Sequence, residues 1–237
     1  MSLKSHVLPS TAEKSLSPPA EVAAFLRQAA RAPALATVRG RLLFALDATA
    51  SRQPTWDQAC QLQGDLFAAA AEHGGLALQL VWYRGYGEFQ VEPWLMAAPE
   101  LQQRMSAVQC RGGLTQIGRV LQHALQETQR HRLNALVLVG DCLEEALDPL
   151  SHQAGQLGVL GVPAFVFQEG QDTVAAEGFR QIAQLSGGAY CAFDAGSADQ
   201  LRTLLKAVAV YAAGGRPALQ AFSQHQGGLV RLLTRQM

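Results

Sequence analysis

The sequence is poor in lysine and in long apolar runs, and each shortage excludes a class of protein. Lysine occurs only at Lys4, Lys14 and Lys206, and the formal net charge is zero, so the chain lacks the basic patch that is typical of nucleic-acid binding. Gly, Gln and Arg interrupt every apolar run before it reaches the length of a membrane span. The sequence therefore predicts neither a nucleic acid nor a membrane as a partner.

Cysteine is also scarce, and the N-terminus carries no export signal. The four cysteines are widely spaced, form no Cys-x-x-Cys pair and have no His-rich neighbour, which argues against a zinc site. The first residues include Lys4 and Lys14 but lack the apolar stretch and cleavage signal of a secretory peptide. We therefore expect a cytoplasmic protein.

Strand-like and helix-like segments alternate along the chain. Nearly continuous apolar runs are typical of buried parallel strands, and apolar residues at helical spacing lie between them. The predicted strands are Arg41–Ala48, Leu76–Arg84, Glu88–Trp94, Asn134–Val139, Pro163–Gln168 and Ala189–Phe193. The predicted helices are Pro54–His73, Pro99–Val108, Gln116–His131, Leu143–Leu157, Thr173–Leu185 and Ala198–Ala212. The turn Gly85-Tyr86-Gly87 is short enough for an antiparallel hairpin, so one strand is expected to run against the others.

The 237 residues are enough for one α/β domain with segments to spare at both ends. We predict a flexible arm followed by a docking helix in residues 1–39, the main domain in 40–213 and a C-terminal tail in 214–237. The tail contains apolar residues among Gln and Arg, so it either packs back on the domain or binds a partner. Packing back is the favoured interpretation, because most apolar segments beside a domain cover that domain's surface.

Oxygen-bearing side chains stand in three short segments far apart in the sequence. Asp47, Thr49 and Ser51 follow the first predicted strand, Thr115 ends the Gly112-Gly113-Leu114-Thr115 segment, and Asp141 follows the fourth strand. The carboxyl ends of parallel strands converge on one crevice in an open α/β sheet, so these residues can meet. The spacing predicts a ligand site.

Hydroxyls and carboxylates are suitable ligands for Mg²⁺, which prefers six oxygens in near-octahedral array and keeps some of its waters. Three hydroxyls and two carboxylates, with the carboxylates acting directly or through water, would neutralise the ion only in part, so a carboxylate from another protein would be attracted to it. A catalytic metal would be expected beside a positioned base or nucleophile, and the sequence fixes no such group. The pattern therefore favours binding over catalysis.

The same residues resemble the metal-ion-dependent adhesion site of von Willebrand factor A (VWA) domains. That motif is Asp-x-Ser-x-Ser, a Thr in a Gly-rich loop and an Asp after a later strand; here Thr49 stands for the commoner Ser, and Cys142 follows where many relatives have Gly. The resemblance spans roughly residues 40–213. It implies a doubly wound, Rossmann-like α/β fold: a mostly parallel sheet of about six strands, one antiparallel edge strand, and helices on both faces.

The resemblance also implies a function. A Mg²⁺ ion, with Mn²⁺ as the alternative, would be held by Asp47, Thr49, Ser51, Thr115 and Asp141 and would leave one position for a partner's Asp or Glu. Intracellular prokaryotic relatives often serve as adaptors or scaffolds in multi-protein assemblies, some beside chaperone-like ATPases. We expect this chain to be a module of that kind and not an enzyme.

Three alternatives stay open from the sequence. Thr115 could cap the helix that begins at Gln116, and Asp141 the helix near Leu143, because such side chains accept backbone N–H bonds at helix starts. Asp47 could serve a phosphatase-like hydrolase, since Asp-x-Thr is a fragment of the haloacid dehalogenase motif, although the lysine of that family has no counterpart near a later helix. Lastly, the site could be vestigial in a structural interaction domain.

Overall fold

Alternation inside the apolar runs explains how the strands form a sheet that is buried on both faces. In the first strand, Leu42, Phe44 and Leu46 belong to one hydrophobic core, whereas Leu43 and Ala45 belong to the other. Successive side chains of a strand point to opposite faces, so a continuous apolar run supplies two cores at once. The sheet therefore needs helices on both sides.

The computed structural model describes residues 40–52, 63–71, 73, 75–193, 198–226, 230 and 236. The predicted N-terminal arm and docking helix, in residues 1–39, lie outside the described residues. So does the predicted helix Pro54–His73 as far as residue 62.

Six strands form one sheet in the order β3-β2-β1-β4-β5-β6. All neighbours are parallel except β2 and β3, which pair as an antiparallel hairpin and put β3 at one edge. This arrangement confirms the predicted fold class. The strands are β1 (Gly40–Asp47), β2 (Leu76–Arg84), β3 (Glu88–Leu95), β4 (Ala135–Gly140), β5 (Ala164–Glu169) and β6 (Ala189–Phe193).

The helices of the described residues divide between the two faces. They are α1 (Gln63–Ala71), α2 (Ala98–Ser106), α3 (Ile117–Arg130), α4 (Leu147–Val159), α5 (Thr173–Ser186) and α6 (Ala198–Gln226), with a short 3-10 helix at Ala50–Arg52. Side chains from α1, α2 and α6 fill the core on one face, and side chains from α3, α4 and α5 fill the core on the other. None of the helices in the described part of the chain has the length and apolar character that crossing a bilayer requires.

Among the helices whose predicted range is described in full, two differ from their predicted bounds by more than two residues, and each difference has a physical reason. The helix predicted from Leu143 begins at Leu147, because the acidic residues before it bond to another segment and Pro149 is accommodated in the first turn. The last helix runs past Ala212 to a break at Gly215, whose φ of 70° is not helical, and a second helical segment then follows to Gln226. Pro217 lies just after the break, where a helix can restart because a first-turn residue needs no N–H partner.

The second half of α6 packs on the first. Leu219 is fully buried and forms a small hydrophobic cluster with Ala207 and Val230. The described part of the predicted tail thus covers the surface of its own domain, as the favoured interpretation expected. The domain boundary at residue 213 stays a prediction.

Candidate metal centre

The site lies where the connections of the sheet diverge. Asp47 is the last residue of β1, and Asp141 directly follows β4, its parallel neighbour. From β1 the chain continues to β2 and β3 on one side, whereas β4 leads to β5 and β6 on the other. Ligands of open α/β sheets bind in the crevice at such a switch point, outside the carboxyl ends of the strands.

The loop after β1 is folded back by its own polar groups. The backbone N–H of Thr49 donates to Asp47 Oδ1 at 2.7 Å, and both residues are buried. The Oγ1 atom of Thr49 lies 3.3 Å from Oγ of Ser51, which stands in the short 3-10 helix and is exposed. The three side chains of this first segment therefore gather at one end of β1.

A hydrogen bond joins this loop to the end of β4. Ser51 Oγ donates to Asp141 Oδ2 at 2.5 Å across 90 residues of sequence. The other oxygen, Asp141 Oδ1, is buried and accepts no hydrogen bond from an N–H or O–H group of the described residues, although the weakly donating Cys142 thiol interacts with this carboxylate. A buried carboxylate oxygen without a strong donor is costly unless a cation neutralises it, so this atom suits a metal ion.

Thr115 is buried and is connected to the site through Glu144. Its N–H donates to Glu144 Oε2 at 2.9 Å, and the Glu144 N–H donates to Thr115 Oγ1 at 3.1 Å. Among the hydrogen bonds of the described residues, none joins Thr115 to the other four candidates. The structure thus joins Asp47, Thr49, Ser51 and Asp141 directly, and it holds Thr115 against the loop that carries Asp141.

Glu145 caps α3, and the two capping alternatives are therefore wrong. Its carboxylate accepts from the N–H groups of Ile117 at 2.5 Å and Gly118 at 2.9 Å. Thr115 does not cap α3, because its hydroxyl accepts from Glu144, and Asp141 does not cap α4, which begins at Leu147. A carboxylate at a helix N-terminus is stabilised by the helix dipole.

Glu144 and Glu145 are the residues whose roles the sequence did not reveal. The sequence favoured a first helical turn at this position, where acidic residues are common. The pair instead connects the Asp141 loop to the Thr115 loop. The only available signal was the pair of acidic residues soon after Asp141. Such a pair does not identify a hydrogen-bond partner about 28 residues away in the sequence.

The Gly-rich segment also bonds to the loop after β1. Arg111 donates its backbone N–H to the Ala48 carbonyl at 3.0 Å, and Ala48 donates to the Tyr83 carbonyl at 2.9 Å. Hydrogen bonds thus connect the three motif segments into one network at the carboxyl ends of the strands. Such a network favours a fixed geometry of the site.

Cys142 lies close to several negatively charged side chains of the site. Burial raises the pKa of its thiol to about 12, and the nearby charges of Asp141, Asp47 and Glu144 act in the same direction. The thiol therefore stays protonated at neutral pH and is a poor nucleophile or ligand.

No cluster of three or more His, Cys, Asp or Glu side chains suited to a metal occurs in the part of the chain that the structure describes. An ion held here would depend on hydroxyls as well as on its two carboxylates. That donor set fits a hard cation such as Mg²⁺.

Comparison of the fold with solved structures identifies its class. A von Willebrand factor type A protein from Catenulispora acidiphila superposes with a TM-score of 0.57 and 17% identity, covering 73% of this chain and 43% of that one. The SpRpn10 VWA domain gives 0.55 and 12%, covering 69% and 95%. This chain has the fold of a VWA domain.

A third similar structure contains a metal. Proximal thread matrix protein 1 from the mussel byssus, with a zinc-occupied adhesion-site motif, gives a TM-score of 0.56 and 15% identity, covering 74% of this chain and 47% of that one. The chain thus spans less than half of this protein and of the Catenulispora protein. No family model matches the sequence, and no curated protein matches it.

Proposed function

We propose that this chain is a metal-dependent protein-binding module, an adaptor or scaffold that captures a partner's carboxylate. Mg²⁺, with Mn²⁺ as the alternative ion, would be held by Asp47, Thr49, Ser51, Thr115 and Asp141. One observation carries the proposal: the Ser51–Asp141 hydrogen bond joins two parts of the motif at the switch point of the sheet. The buried Asp141 Oδ1 supports it, because a cation would compensate that oxygen.

The chemistry of the donors favours capture of a carboxylate. Two carboxylates and three hydroxyls, each giving one oxygen, supply at most five of the six ligands that Mg²⁺ prefers, and a carboxylate that acts only through water compensates the charge of the ion incompletely. The ion would therefore retain positive charge and an exchangeable position. A partner's Asp or Glu is the natural protein ligand for that position.

Catalysis is not proposed, because a suitable base or nucleophile is not found beside the candidate centre among the described residues. The Cys142 thiol is held protonated by its raised pKa. A phosphatase of the type suggested by Asp47-x-Thr49 would need a phosphate-binding lysine. Lys206 instead bonds to Asp65 of α1 at 3.0 Å on the α6 face of the domain.

The cellular setting belongs to the same proposal. We place the module in the cytoplasm, with a protein partner that presents Asp or Glu, in a multi-protein assembly that contains an ATPase. The similarity to the mussel protein supports the kind of site, because zinc, a divalent ion, occupies the adhesion-site motif of that protein.

Calorimetric titration with Mg²⁺ and Mn²⁺ tests the proposal. We expect one binding event in the wild type that is lost in Asp47→Ala and weakened at least tenfold in Ser51→Ala. Ser51 is exposed, so its variant should fold even if the buried Asp47 is needed for stability. Asp148→Ala, which removes an exposed carboxylate in the first turn of α4, should bind like the wild type.

Equal metal binding by the wild type and Asp47→Ala would contradict the proposal. If the wild type binds no ion alone, the titration is repeated with an acidic peptide present. No uptake under that condition would also contradict the proposal and would favour a structural domain with a vestigial site.

A further inference from the structure

Two exposed apolar side chains lie beside the candidate centre. Tyr86, in the turn between β2 and β3, is 90% exposed, and Leu114, which precedes Thr115, is 50% exposed. The N–H of Leu114 donates to the Gly85 carbonyl at 3.1 Å, so the two residues stand on segments in direct contact. Tyrosine is one of the residues that most often anchor a protein–protein interface.

Backbone contacts hold the turn in place. A Cβ on Gly113 would overlap the backbone of Gly85, so the missing side chain at Gly113 allows the segments to approach this closely. Gly85 and Gly87 have φ angles of 61° and 138°, which other residues rarely adopt. Tyr86 is therefore presented on a turn whose shape is specified by its neighbours.

Side chains from the start of α3 fix the same turn. Gln116 Nε2 donates to the carbonyls of Arg84 at 3.3 Å and Glu88 at 3.2 Å. Arg119 Nη1 donates to the Gly87 carbonyl at 2.8 Å. A turn that is already fixed in the free protein loses little conformational entropy when a partner packs against it.

Charge gives this surface a preference among partners. Residues 84–88 and 111–119, here named the Tyr86 rim, contain three arginines, Arg84, Arg111 and Arg119, and one acidic residue, Glu88. Glu88 is already bonded to Arg84, at 2.7 Å from each of two guanidinium nitrogens. Arg111 and Arg119 are exposed, so the rim itself presents positive charge beside its apolar pair. The nearest carboxylates of the adjoining loop, Glu144 and Glu145, are bonded to backbone N–H groups of the rim.

We infer that the Tyr86 rim is a second recognition surface of the proposed module, and that it binds an acidic protein segment with an apolar residue near its metal-binding Asp or Glu. The apolar residue packs on Tyr86 and Leu114, and further acidic residues face Arg111 and Arg119. This inference rests on the proposed function. It adds a specificity that the metal site alone does not supply, because any exposed carboxylate could reach a metal.

Blocked glycine–serine peptides test the inference. One peptide carries a single central Asp, and the others carry in addition one Trp at each neighbouring position in turn. Binding in Mg²⁺ is followed by amide chemical-shift changes of Gly85, Gly87, Gly113 and Leu114, which detect weak affinities. We expect the best Trp peptide to bind wild type about tenfold more tightly than the peptide with Asp alone.

Variants then assign the added affinity to the rim. Tyr86→Ala should abolish the difference between the two peptides while leaving the Asp-only peptide unchanged, and Tyr86→Phe should retain the difference. Val159→Ala removes an apolar side chain that is also 90% exposed, but on α4, and it should behave as wild type. Exposed positions are chosen so that loss of folding does not explain a loss of affinity.

The outcomes separate this inference from the proposed function. Metal-dependent binding of every peptide with no gain from Trp, or a gain that survives in Tyr86→Ala, overturns the inference and leaves the metal-dependent module standing. No metal-dependent binding of any peptide overturns both. A gain from Trp that is equal in EDTA shows apolar binding without the metal and overturns the stated link between the two surfaces.

Discussion

His123 combines partial burial with polar contacts, and this combination affects how the stability of the domain depends on pH. Its Nε2 atom lies 2.9 Å from Gln79 Oε1, and its ring meets Phe89 edge-on at 6.5 Å. Burial lowers the pKa of His123 below its ordinary value of about 6.5; the negative charge of Glu127 opposes this shift and the positive charge of Arg130 assists it.

The lowered pKa predicts a loss of stability in acid. The unfolded state binds a proton more readily than the folded state, so the contribution of neutral His123 is fully present above about pH 6.5 and is lost as the pH falls below it. We expect the urea midpoint to decrease between pH 7.5 and pH 5.5, and His123→Gln to reduce that decrease. His152→Gln, which changes an exposed histidine of α4, should retain the wild-type dependence. An unchanged dependence in His123→Gln would show that other groups cause it.

At the scale of secondary-structure elements, the beginning of α3 depends on a residue from another loop. Glu145 accepts two hydrogen bonds from the first backbone N–H groups of α3. We expect Glu145→Ala to lower the free energy of unfolding by about 1–3 kcal/mol, because those donors lose a charged acceptor. Urea denaturation measures the change.

The control for this change is Glu177→Ala, at an exposed position of α5. Glu and Ala have similar helix propensities, so this variant should stay within about 0.5 kcal/mol of wild type. If the two variants lost equal stability, the contact of Glu145 with α3 would have no special role.

The bounds of strands and helices were predictable where the sequence pattern that determines them lies within the element itself. β2 and β6 have the predicted bounds, Leu76–Arg84 and Ala189–Phe193, because nearly continuous apolar runs end there at turn residues. The start of α4 was not predictable, because residues 141–146 bond to a distant segment instead of continuing a helix. Hydrogen bonds between loops leave no periodic pattern in the sequence.

The candidate centre also has one part that the sequence predicts and another that it does not. Asp47, Thr49 and Ser51 form a local motif, and their approach to Asp141 follows from the convergence of strand ends. The reciprocal bonds between Thr115 and Glu144 depend on the detailed path of two loops, which spacing does not specify. That these five residues bind a metal stays a prediction.

For the whole molecule, the C-terminal segment is part of what stabilises the domain. Leu219 is fully buried, because it packs with Ala207 and Val230 in a small hydrophobic cluster. We expect Leu219→Ala to cost about 2–4 kcal/mol of unfolding free energy, since it leaves a cavity in a packed cluster. Truncation after Gly214 should cost at least as much.

Thermal and urea unfolding measure both changes. Leu185→Ala, at a position of α5 that is 42% exposed, serves as the control and should cost much less. Retention of wild-type stability by the truncated chain would mean that the tail is not structural, and binding studies should then address it as a partner site.

The hydrogen bond between Ser51 and Asp141 joins two segments that leave the ribosome at different times. A nascent chain that has emerged only as far as β3 already carries Asp47, Thr49 and Ser51, but it lacks both Asp141 and the strand that precedes it. Domains fold largely as units, and contacts of long sequence separation form late because their loops must close first. Metal capture would therefore begin only after β4 has joined the sheet, so a bound ion would mark a chain whose central strands are already paired.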